Sequence, residues 1–142
     1  ASFTFEDFTV DGLAYGGTLE IDVISGEIQA YLSIDTDGSA HGGVFTLSSY
    51  FVNVIQSPGF QEVWISGTYH HPEFGAVELD TNEPFVIHAE DRWPSSGLAV
   101  VTGQGDTSAV LTAVDLTRFR VAADTAGSGR FSRYLGMHLW AE

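Results

Sequence analysis

The chain has 142 residues, 44% hydrophobic and 17% charged, which suits one globular domain with its own core and excludes wholesale disorder. Nineteen acidic residues stand against five arginines and no lysine, giving a net charge of −14. That charge repels phosphate backbones and anionic lipid, so nucleic acid is excluded as a partner, and no apolar run is long enough to make a membrane span.

Cysteine is absent, which removes disulfides, thiolate metal sites and thiol nucleophiles. The start at Ala1 rather than Met reads as a processed or trimmed terminus.

Strand and turn signals follow one another through the whole chain. Residues 2–10 are aromatic-rich, with Phe3 and Phe5 on one parity and Phe8 and Val10 on the other. That switch predicts a bulge near Glu6 and Asp7. A turn at Asp11-Gly12 and a break at Gly16-Gly17 precede a clean alternation over 18–24, with Leu19, Ile21 and Val23 opposite Glu20 and Asp22. Ser25-Gly26 is a two-residue hairpin turn, and the chain returns through Ile28, Ala30, Leu32 and Ile34. Asp35-Thr36-Asp37-Gly38 reads as a turn. The strand over 44–55 is apolar on both faces, as expected of a central position, and Ser57-Pro58-Gly59 ends it.

Residues 61–90 form the block richest in chemistry, with three of the five histidines and one of the three tryptophans. They read as short strands over 63–69, 76–80 and 85–89, with turns at 70–75 and at Thr81-Asn82-Glu83-Pro84. A Pro/Ser/Gly loop over 92–97 leaves the block. A meander follows, with strands over 98–102, 109–114, 119–123 and 131–140. No stretch carries a capped 3.6-residue period, so almost no helix is predicted. The fold class is all-β, a single domain over 1–142 of about ten antiparallel strands, either a sandwich or a closed β-barrel.

From about residue 67 onward, Gly67-Thr68-Tyr69, His71-Pro72, Gly75, 81–84, Pro94-x-x-Gly97, 102–106, 111–115 and 121–124 together resemble a pattern of uncharacterised exported proteins and lipoproteins of Gram-negative bacteria. The resemblance implies a secreted, periplasmic or envelope location and a β-rich domain, and it implies no activity. One departure is the turn at 124–129, where the second acid of an Asp-x-x-Gly-Asp-Gly loop is missing, which weakens a calcium reading there.

Candidate sites divide by chemistry. His70 or His71 with His88 and one of Glu73, Glu78 or Asp80 would suit zinc, and Asp35-x-Asp37-Gly38 has the first acids and the glycine of a calcium loop. Both stretches read more simply as polar turns, so no cofactor is expected. Proton transfer would fall to His88 with Glu78. The aromatics suggest more: Trp64, Tyr69 and Trp93, with His71 and His88 beside them, form the ligand-binding set, either as a sugar-stacking platform or as the lining of an apolar cavity.

The expected function is a non-catalytic binding or structural module whose partner is carbohydrate, small molecule or protein. Free edge strands would add strand-addition assembly. The alternative is a small β-barrel enzyme of cyclase or isomerase type, acting on a hydrophobic small molecule in its lumen.

Overall fold

Alternation such as Leu19-Glu20-Ile21-Asp22-Val23 places apolar and polar groups on opposite sides only if the backbone is extended. The computed structural model describes residues 1–10, 13–37, 46–71, 73, 75–131 and 134–140, and there the period-two pattern resolves into ten strands. They are β1 (Ser2–Val10), β2 (Leu13–Ile24), β3 (Glu27–Asp37), β4 (Thr46–Ser57), β5 (Phe60–His71), β6 (Gly75–His88), β7 (Ser96–Thr102), β8 (Ser108–Asp115), β9 (Arg118–Asp124) and β10 (Tyr134–Leu139). Each pairs antiparallel with its neighbour in sequence, so order along the chain is order across one sheet. A single 3-10 turn, Gln104–Asp106, is the nearest thing to a helix among the described residues. Among the described residues no helix is long and apolar enough to cross a membrane.

The all-β antiparallel expectation holds, but the closed barrel does not. Among the described residues β1 pairs only with β2 and β10 only with β9, so the sheet has two open edges. The central position expected for 44–55 is met by β4, which lies between β3 and β5. Ser25 (φ 48°) and Gly26 (φ 88°) form the tight β2–β3 turn, both in the left-handed conformation that a two-residue hairpin with matching twist needs. The bulge expected in β1 is present, between Phe5 and Phe8.

Three expected breaks are instead strand. Gly16-Gly17 lies inside β2 and is paired with Asp35 and Ile34. Asp35–Asp37 is extended within β3, in register with Gly16, Tyr15 and Ala14, so its backbone does not curl into a calcium loop. Gly38 and the Asp11-Gly12 turn lie outside the described residues. The supposed turn at 81–84 is a double bulge in one continuous β6: Thr81, Asn82, Glu83 and Pro84 run opposite only Trp64 and Ile65 of β5. Pro84, which has no N–H for a ladder, fits there.

Thr81 explains why the bulge is stable. Its side chain is 6% exposed, and its Oγ1 both donates to the Ile65 carbonyl (2.8 Å) and accepts from the Ile65 amide (2.9 Å). One hydroxyl thus stands in for the strand partner that the bulge removes.

Register and alternation give the sheet two unlike faces. One, the inner, carries Leu19, Ile21, Leu32, Val52, Val63, Leu79, Leu111 and Val121 in cross-strand rows. The other, the outer, carries Glu20, Asp22, Gln29, Glu62, Glu78, Asp80 and Arg120. The sheet rolls toward its inner face. In a flat sheet β6 and β10 would stand about 19 Å apart, yet Trp93, just after β6, stacks on Trp140, just after β10, with ring centroids 5.9 Å apart.

The core sits under that roll. Phe85, Ala99 and Ala113 are buried, with Val63, Leu79, Leu111 and Trp140 packed around them. Gly97 permits this: a Cβ there would lie 2.5 Å from Phe85 Cδ1 and 2.7 Å from its Cα. Elsewhere the inner face is only half covered. The exposed area is 8897 Å², against about 7,100 Å² for a compact monomer of 15.3 kDa.

Candidate functional site

A concavity lies on each face of the sheet beside β5 and β6. On the outer face, β3–β6 lay out a row of residues by register alone. Tyr31 is paired with Phe51, Phe51 with Ser66, and Ser66 with Asp80. The next row holds Gln29, Asn53 and Trp64. The Tyr31 and Phe51 rings meet at a tilt of 38° with centroids 4.7 Å apart, and Tyr31 is 46% exposed. Phe51, Asn53, Trp64, Ser66, Asp80 and Thr81 line a groove of about 270 Å³, with Ile65 at its floor.

The polar groups beside these rings are already oriented. Asn53 Nδ2 donates to Glu27 Oε1 (2.6 Å), and Gln29 Nε2 donates to the same oxygen (3.0 Å). The hydrogen bond from Gln29, then that from Asn53, holds the Glu27 carboxyl below its ordinary range and outweighs the opposing effect of burial. Asn53 Oδ1 is buried and has no hydrogen-bond partner among the described residues.

On the inner face lies a trough of about 390 Å³. Val63, Ile65, Leu79, Phe85, Ile87, Ala99 and Leu111 form its floor and walls, and Arg92, Trp93, Pro94 and Trp140 close one end. Trp140 is fixed by a hydrogen bond from its Nε1 to the Asp115 carbonyl (3.1 Å) and by Phe119 at 4.7 Å. The Arg92 guanidinium lies 5.3 Å from the Trp93 ring centre, within cation–π range. This surface is almost wholly apolar and offers no acid or base for proton transfer.

The residues expected from sequence scatter over these surfaces. Trp64 lies in the outer groove. Trp93 is half-buried against Trp140 at the trough. Tyr69 and His71 meet edge-on (6.4 Å) at the far end of β5, and His71 Nδ1 accepts from the Glu73 amide (3.1 Å). His88 is exposed at the opposite end of β6, against Phe60. The five therefore do not form one site.

The candidate zinc and catalytic sets fail on the same geometry. His70 is paired with Ala76 at the start of β6, whereas His88 ends that strand. At about 3.3 Å per residue they stand more than roughly 30 Å apart. Glu78 and His88 sit ten positions apart on one strand, again roughly 30 Å, too far to share a proton. Among the described residues no three His, Cys, Asp or Glu side chains converge as metal ligands.

The turn at 124–129 is filled by its own chain. Asp124 is 2% exposed and accepts from the amides of Ala126, Gly129 and Arg130 and from the Ser128 hydroxyl. Burial pushes its carboxyl up, but the Ala126, Gly129 and Ser128 donors prevail and hold it below the usual carboxylate range. Asp115 does the same for its hairpin: Arg118 first, then Thr117, hold its carboxyl well below the usual range. Both acids are structural.

Phe51 and Asn53 were not singled out from sequence. The signal for them was present: once the β3–β5 hairpins are placed in register, Tyr31, Phe51 and Trp64 fall on the polar face. Comparison with protein-family models, with curated proteins and with solved structures finds no match for this chain.

Proposed function

We propose that this protein is a non-catalytic binding module that holds a carbohydrate against the outer face of β3–β6. The supporting observation is the position of Tyr31, Phe51 and Trp64. They stand on the polar, acidic face, where they fill no core, beside Asn53, Gln29, Glu27, Ser66 and Asp80. A sugar ring presents C–H bonds on its faces and hydroxyls on its rim. Flat aromatic rings accept the first, and amide and carboxylate groups bond the second. The envelope or the extracellular space, the location that the pattern read in residues 67–142 implies, is where we place this activity.

A glycan array followed by calorimetric titration of the best glycan tests this reading. Trp64→Ala should weaken binding at least tenfold, about 1.4 kcal/mol, with the fold intact. Retention of full affinity by Trp64→Ala refutes it.

The inner trough supports a second reading, a small apolar ligand held under Trp93 and Trp140. Its nearly unbroken apolar lining favours this. An apolar fluorescent probe that competes with the ligand, and whose binding is lost in Trp93→Ala but kept in Trp64→Ala, would select the trough over the outer groove.

A further inference from the structure

The two open edges of the sheet differ in charge. Residues 1–91 contain fifteen acids and no arginine or lysine, whereas residues 92–142 contain all five arginines and only four acids. Because the chain crosses the sheet in sequence order, this asymmetry becomes a gradient across the molecule. The β1 side is strongly negative, and the β10 side is slightly positive. Arg120 lies one strand in from the β10 edge, opposite Met137, and forms no ion pair among the described residues. Glu20 lies one strand in from the β1 edge, opposite Ser2.

The edges also expose hydrogen-bonding groups and apolar side chains. The Ala1 ammonium donates to the Ile21 carbonyl and the Ile21 amide donates to the Ala1 carbonyl, so by the two-residue alternation Ser2 and Thr4 direct their backbone groups away from β2. The Trp140 amide donates to Thr117, so Met137 and Leu139 direct theirs away from β9. Phe3 is 54% exposed on one edge, and Met137 (53%) and Leu139 (48%) on the other. Natural sheets usually guard such edges with lysine, proline or bulges. Here the β1 bulge begins only after Phe5, and β10 has no bulge.

We propose that copies of this chain join head to tail, the β10 edge of one pairing with the β1 edge of the next. Strands alternate in direction, so β1 and β10 run oppositely, and a translated second copy continues the antiparallel ladder with like faces aligned. The unbulged first part of β1, residues 2–5, offers four positions to the six residues of β10. Such a contact is heterologous, so it propagates into a ring or a filament. The acidic and basic edges draw the copies together most strongly at low ionic strength.

Sedimentation of the full chain across a concentration series, at low and at high salt, tests this. The wild type should show a weight-average mass that rises with concentration and falls with salt. Met137→Lys blocks the β10 edge. Thr4→Pro removes only an outward N–H from β1. Each alone should sediment as a monomer with the wild-type circular dichroism spectrum. Mixed in equal amounts, they should form a dimer and nothing larger, because each keeps one intact edge. A single monomeric mass at every concentration overturns the proposal, as closure of β10 onto its own β1 would produce. Self-association of Met137→Lys alone overturns it as well, because it would mean like edges pairing.

Discussion

Replacing Thr81 with valine tests whether one hydroxyl holds the β6 bulge. The two side chains have nearly the same volume, so no cavity opens. What is lost is the pair of hydrogen bonds to Ile65 at 2.8 and 2.9 Å, at a position 6% exposed. Leaving a buried backbone donor or acceptor unmet costs about 1–3 kcal/mol. Ile65 is half-buried, and water reaches it in part, so the lower part of that range applies to each group and the total is about 2–3 kcal/mol. For 142 residues the unfolding entropy is about 0.3 kcal/mol/K, so Tm should fall by about 7–10 °C. Calorimetry on the wild type, Thr81→Val and Thr81→Ser measures this directly. Serine keeps the hydroxyl and should retain most of the stability. A loss below about 2 °C for valine, or equal losses for valine and serine, would refute the role given to the hydroxyl.

Gly97→Ala should destabilise by about 1–3 kcal/mol, because the new Cβ would meet Phe85 at 2.5 Å and the backbone there has φ 139°. Chemical denaturation should show this as a lower midpoint with an unchanged slope. Asp124 predicts an acid limb. Its folded-state carboxyl titrates below its unfolded one, so its contribution is present above the unfolded pKa, near 3.8, and is lost as pH falls through the lower folded value. Asp124→Asn should therefore be less stable than the wild type at pH 7, and the gap should narrow below about pH 4 in melts recorded across pH.

How much of this was legible in the sequence depended on the range of the interaction. The β2–β3 hairpin and the β1 bulge follow from parity and from Ser25-Gly26, all local, and both appear in the structure. The turn expected at Thr81-Asn82-Glu83-Pro84 did not form, because Ile65, sixteen residues away in sequence, supplies partners for Thr81 and keeps the strand running. Barrel closure depends on whether β1 meets β10, which no local pattern encodes. Trp64 was readable as a candidate binding aromatic and lies in the outer groove, whereas its neighbours Tyr31, Phe51 and Asn53 became a group only through register. His70, His71 and His88 look close in sequence, yet the first two end β5 opposite the start of β6, and the fourteen residues of β6 carry His88 to its other end.

The most direct test of the carbohydrate reading is a glycan array probed in parallel with the wild type and Trp64→Ala, each first shown to have the same melting temperature. The outer row of Tyr31, Phe51 and Trp64 predicts at least one class of glycan that the wild type retains and the variant releases. Failure to retain any glycan, or retention that is indifferent to Trp64, would contradict it.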